Sequence, residues 1–131
     1  MTEIAKEFLI EIENRPGSLA TVSQALGISG VNIRSLTIDR IGNQGFIRVI
    51  VDDDKRTEKA LDEKGFMYTV NNVIVKHLKD RPGELARVAQ MLSTNNVNIE
   101  AVYMVGKNNG LTQLVFALDN IERGQQLLKA V

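Results

Sequence analysis

Two tetrads in this 131-residue chain, Asn14-Arg15-Pro16-Gly17 and Asp80-Arg81-Pro82-Gly83, stand where an alternating apolar run gives way to residues at helical spacing. The first N–H groups of a helix have no intrahelical partner, and the aligned peptide dipoles favour an anion beside them, so a carboxylate suits such a corner. Gly17 and Gly83 let the backbone approach a ligand closely. Ser18, Leu19 and Leu85 can offer backbone N–H groups. Asn32 and Asn98 open the next strand, which can return beside the first, and Asn14, Asp80, Asn32 and Asn98 can accept from an ammonium group. Together these residues could hold a zwitterion. The same residue types also serve as plain helix caps and turn formers, and spacing alone does not separate the two roles. Glu84 suits the helix dipole and would repel a carboxylate at the second corner. Arg15 and Arg81 suit solvated or surface-paired positions. Valine at Gly17 or Gly83 is expected to abolish binding and leave the fold largely intact.

The elements that position these corners come in duplicate. Pro16 meets Pro82 at a shift of 82 − 16 = 66, and the same shift aligns RPGSLATVSQALGISGVNI with RPGELARVAQMLSTNNVNI. Of the 19 positions from Arg15 to Ile33, 11 are identical, where ordinary residue usage gives about one by accident. The register continues through Val49 and Val115 and through Leu61 and Leu127, so a whole unit repeats. The sequence divides into modules at 1–71 and 72–131.

Within one unit, Phe8, Ile10 and Ile12 alternate with Leu9, Glu11 and Glu13, the period of a half-buried strand. Leu19, Val22, Ala25 and Leu26 have helical spacing, with Pro16 placed for the first helical turn. Val31–Gly42 and Gln44–Val51 read as two β-rich runs about a turn at Gly42 to Gly45 and predict a hairpin. Residues 55–64, stopped by Gly65, predict a charged helix, and residues 66–70 a strand. The order βαββαβ predicts an α+β, ferredoxin-like module with an antiparallel sheet and both helices on one face. The second unit ends in a helix over 121–130 and has no residues left for a last strand, so one sheet edge needs cover from elsewhere. Apolar residues in both registers of Gly45–Val51 predict cover on both faces of the sheet.

N/D-R-P-G-x-L-A-x-V-x-x-x-L followed by V-N-I resembles the ACT domain signature, here present twice and spanning nearly the whole chain. The resemblance implies βαββαβ regulatory modules that bind amino acids at interfaces between paired domains, as in the regulatory end of phosphoglycerate dehydrogenase and in aspartokinase. The positions it implies for ligand contact are Asn14, Gly17, Ser18, Leu19, Asn32 and Ile33, with Asp80, Gly83, Glu84, Leu85, Asn98 and Ile99 in the second copy. Asp80 departs from the usual asparagine. The chain resembles the short free-standing tandem ACT proteins, which implies a homodimer and a separate chain as any regulated enzyme.

Composition narrows the alternatives. Lys plus Arg number 16 and Asp plus Glu 16, which leaves no net field to draw the protein onto nucleic acid or an anionic membrane. The absence of cysteine removes disulfides, thiolate metal sites and cysteine nucleophiles, and suits a reducing, cytoplasmic setting. MTEIAKEFLIEIE carries acids inside its apolar stretch, unlike a signal peptide or membrane span. The single histidine, His77, has no visible acid, nucleophile or metal-ligand set around it, so neither an enzyme nor a metal or other cofactor site is expected. An RNA-binding module shares the βαββαβ order but needs an aromatic platform, and Phe46 stands alone. A purely structural dimerisation module without a ligand is the remaining rival to amino-acid binding.

Overall fold

The computed structural model describes residues 2–131. Ten elements follow in order: β1 (Thr2–Glu13), α1 (Ser18–Ile28), β2 (Ile33–Ile41), β3 (Gln44–Val51), α2 (Asp54–Glu63), β4 (Tyr68–Lys79), α3 (Glu84–Thr94), β5 (Ile99–Asn108), β6 (Leu111–Leu118) and α4 (Ile121–Lys129). They form two units. One comprises Lys6–Asn71, and the other Asn72–Val131 together with the N-terminal residues up to Ala5. Each is a ferredoxin-like module.

In the first unit the strand order is β2-β3-β1-β4, and β1 runs antiparallel to β3 with Phe8 opposite Val49, Ile10 opposite Ile47 and Glu13 opposite Gln44. Phe8, Ile10, Ile47 and Val49 have no exposed surface and pack with Val22 and Leu26 of α1 and Leu61 of α2. Burying each such side chain contributes roughly 1.5–3 kcal/mol. A one-residue slip would turn all of them to the wrong face, so this packing fixes where β1 ends and the Asn14–Gly17 corner begins. On the opposite face Glu7 is buried and accepts from Arg48 at 2.7 Å.

In the second unit β1, β4, β6 and β5 follow in that order. Ile74, Leu78, Leu114 and Phe116 pack against Val88 and Leu92 of α3 and Leu128 of α4. The edge that the sequence leaves without a last strand is met by the opening residues of β1, which belong to this unit and not to the first. The strand expected to stop at residue 70 does not stop. β4 runs unbroken from Tyr68 to Lys79, closing one module and opening the next.

Both hairpins have two-residue turns, with Ile41 opposite Gln44 and Asn108 opposite Leu111. In the second, Asn109 and Gly110 have φ of 52° and 75°, the left-handed pair that matches the twist of the strands it joins. Deleting the residues up to Ala5 will strip the second unit of its border strand. We expect a loss of roughly 1–3 kcal/mol and faster amide exchange over Ile74–Leu78, read by hydrogen-exchange mass spectrometry, with Phe8–Ile12 much less affected.

Candidate functional site

Each Arg-Pro-Gly corner is a β-turn, and the helix begins after it. The Ser18 N–H reaches the Arg15 carbonyl at 3.4 Å and the Glu84 N–H reaches that of Arg81 at 3.3 Å. Gly17 has φ 91° and ψ −14°, and Gly83 φ 83° and ψ −5°. These are the angles of the third residue of a type II turn, with proline at the second. Pro16 and Pro82 therefore lie outside the helices, not in their first turn as expected. The turn places proline two residues before the first helical position and hands the N-cap to a left-handed glycine.

That N-cap has a chemical consequence. α2 and α4 are capped by side chains, Asp53 accepting from the Arg56 N–H at 3.0 Å and Asn120 from the Arg123 N–H at 3.1 Å. Gly17 and Gly83 supply no such cap, so the first-turn N–H groups at both corners receive no side-chain oxygen from the N-cap residue. Positive φ also alters the expectation for valine. A Cβ at either glycine would meet nothing within 4 Å, yet the left-handed conformation strains any L side chain, so valine would disturb the turn as well as any ligand.

Two hollows flank the first corner, both inside the first unit. On the β2 side, a hollow of about 430 Å³ is lined by Asn14, Gly17, Ser18 and Leu19 with Ile38 and Arg40. On the α2 side, a cavity of about 560 Å³ is lined by Glu11, Arg15, Ser18, Thr21, Phe66 and Met67, among others. Volumes of a few hundred Å³ are typical of small-molecule sites. Arg15 holds Glu13 through Nε at 2.8 Å.

The second corner is built from the same backbone and filled differently. Glu84 is buried and lies between two guanidinium groups, accepting from Arg81 Nε at 2.9 Å and from Arg87. The Arg87 and Arg81 hydrogen bonds hold its carboxyl below the ordinary glutamate value of 4.5. Asp80 is paired with Lys107 at 3.1 Å. Leu85 is exposed on the first turn of α3.

Asn32 and Asn98 do not join the corners of their own modules. Ile33 lies opposite Val51, whereas Gln44, seven residues earlier on β3, lies opposite both Glu13 and Ile41. That separation is about 23 Å along the strand, so Asn32 and Ile33 sit at the other end of the sheet. Asn32 bonds there through its backbone, its N–H donating to Asp52 Oδ1 at 2.9 Å and its carbonyl accepting from the Asp52 N–H at 3.1 Å. Asn98 and Asp119 repeat the arrangement at 2.9 and 3.1 Å. Asn98 and Ile99 line a separate hollow of about 370 Å³ with Ser93 and Asn96. Glu11, Thr21, Phe66 and Met67 escaped the sequence reading. The pairing of Thr21 with Arg87 under the 66-residue shift was the available signal for Thr21. Among the described residues, no group of three or more His, Cys, Asp or Glu side chains could hold a metal, and no helix is long and apolar enough to cross a membrane.

A family model described as an ACT domain pair matches residues 3–130. Protein BT0572 from Bacteroides thetaiotaomicron superposes with a TM-score of 0.89 at 30% identity, over 98% of this chain and 89% of that one. The ligand-free regulatory subunit of aspartate kinase from Thermus thermophilus gives 0.73 at 19% identity, over 99% and 92%. Aspartokinase III of E. coli, in complex with lysine and aspartate in its T-state, gives 0.65 at 16% identity, over 98% of this chain and 31% of that one. The two aspartokinase likenesses show a shared fold. No curated protein matches the chain in sequence.

Two measurements check the corner geometry. Gly17→Ala is expected to lose ~1–2 kcal/mol in urea unfolding despite the open space around it, from left-handed strain alone. Because the folded-state pKa of Glu84 is depressed, its contribution is present above the ordinary value and fades as pH falls through the lower folded value. Glu84→Gln should therefore be less stable than the parent at pH 7, and the gap should close below about pH 4.5. A gap that stays constant from pH 7 to pH 3 contradicts the ion-pair account.

Proposed function

The chain belongs to the ACT domain family, as a pair of such modules, and from that premise we propose that it is a non-catalytic regulatory protein that senses a free amino acid. The carrying observation is the inequality of the duplicated corners. Arg15–Ser18 has an uncapped helix start with a hollow on either side, while at Arg81–Glu84 the chain's own carboxylate lies between the arginines. A helix start without a side-chain cap favours a carboxylate, and the corner with Ser18 in place of Glu84 has room for one.

In this reading the corner formed by Asn14, Gly17, Ser18 and Leu19 is the one that seats the ligand, and the modules 1–71 and 72–131 take unequal parts, with Asp80, Gly83, Glu84 and Leu85 forming a corner already filled. Asn32 and Ile33 would reach such a ligand only from a second copy of the chain, in keeping with a homodimer, and Asn98 and Ile99 hold the corresponding place in the second unit. Exposed Leu36, Ile38 and Ile41 on β2, a strand at the border of its sheet, support an apolar contact of that kind. A regulated enzyme would be a separate cytoplasmic chain. Such a role agrees with neighbours that are regulatory subunits of aspartate kinase.

A thermal-shift screen against the twenty amino acids and a set of nucleotides tests the proposal. A true ligand at a hundredfold its dissociation constant adds about 2.7 kcal/mol of stability. A shift with an amino acid and none with nucleotides is expected. No shift from any amino acid overturns the sensor role and leaves the structural dimerisation module in its place.

A further inference from the structure

The second unit shows what this corner does with a carboxylate. Under the 66-residue shift, Arg15, Ser18 and Thr21 correspond to Arg81, Glu84 and Arg87. Glu84 extends from the first helical position, and its carboxylate lies between Arg81 and Arg87 with 7% of the side chain exposed. In the first unit the same three positions line the cavity on the α2 side. There Ser18 is too short to fill the space, and the Thr21 hydroxyl turns back to donate to the Gly17 carbonyl at 3.0 Å. Where the second module carries its own carboxylate, the first carries a vacancy of about 560 Å³.

We infer that the α2-side cavity of the first unit binds an α-amino acid with an apolar side chain, its carboxylate taking the place that Glu84 fills in the second unit. This rests on the sensor reading above and adds the location and the chemical class of the ligand. Arg15 spends only Nε on Glu13 and retains further guanidinium donors, and Ser18 adds a hydroxyl. Charge then decides against a plain carboxylic acid. Glu11 and Glu13 also line the cavity, so with Arg15 its walls sum to one net negative charge, and an anion without a compensating ammonium is repelled. An ammonium group would sit toward the two glutamates. Phe66, Met67 and Ile12 supply the apolar wall, against which a hydrocarbon side chain gains roughly 0.8 kcal/mol per buried methylene.

The test uses L-leucine beside two fragments of it, 4-methylpentanoate and 3-methylbutylamine. Calorimetry and thermal shift with the full chain should show binding by leucine and at least tenfold weaker binding by either fragment. The double variant Ser18→Glu with Thr21→Arg copies the filled corner of the second unit into the first. It should melt at or above the parent temperature and lose at least tenfold in leucine affinity, whereas Arg40→Trp, which fills the hollow on the β2 side, should bind as the parent does. Should the double variant not fold, Arg15→Gln must show the same loss. Leucine binding that survives the double variant or Arg15→Gln and is lost in Arg40→Trp overturns the location while the sensor reading stands. Binding of 4-methylpentanoate as tight as leucine, or of only polar amino acids, overturns the ligand class. Failure of every amino acid in the wider screen removes both.

Discussion

A glycine held at positive φ immediately before a helix governs the chemistry of both modules. Arg-Pro-Gly closes a type II turn, and the angles of Gly17 and Gly83 are ones that a side chain adopts only under strain. Because the N-cap is glycine, the helix starts without the oxygen that caps α2 and α4. The turn thus sets the direction of the chain as it leaves the sheet and leaves the first helical N–H groups without a side-chain cap at the point where it turns. The position of that turn depends in its own right on the register of β1 against β3, which the burial of Phe8 and Ile10 enforces.

On this shared frame the two copies differ at side chains while the backbone of the turn is kept. Ser18 and Thr21 in one copy stand against Glu84 and Arg87 in the other. The substitutions convert an open corner into one closed by an internal ion pair, while φ at the turn glycine changes by only a few degrees. The result is a chain with two modules of one fold and unequal chemistry at the corner. Family membership reports the fold, and the individual side chains at the corner decide which copy stays open.

Much of the fold was legible because periodicity and burial act locally. Phe8, Ile10, Val22, Ala25 and Leu26 were readable as core from spacing alone, and all are buried. The hairpin around Gly42 and the absence of a last strand in the second unit were also readable. The start of α1 was misjudged because Pro16 fits two local motifs, a helix first turn and a type II turn, and only the φ of the following glycine tells them apart. Asn32 could not be placed because the end of the sheet it occupies follows from strand register, a non-local property. Its backbone partner Asp52 lies 20 residues away. The α2-side cavity was illegible for a similar reason, since Phe66 and Met67 reach the corner only through the packing of a loop distant in sequence.

β4 closes one module and opens the next without a break, and the first few residues of β1 belong with the second module. On the ribosome the opening segment emerges first and has no neighbour on that side until more than half of the chain has followed it. Contacts of such long sequence separation form late, so the downstream half completes its sheet only with a segment made long before it. A gene split cleanly between the repeats would yield a later fragment missing a border that its own codons do not encode, which binds the two halves into one reading frame more firmly than their likeness alone would demand.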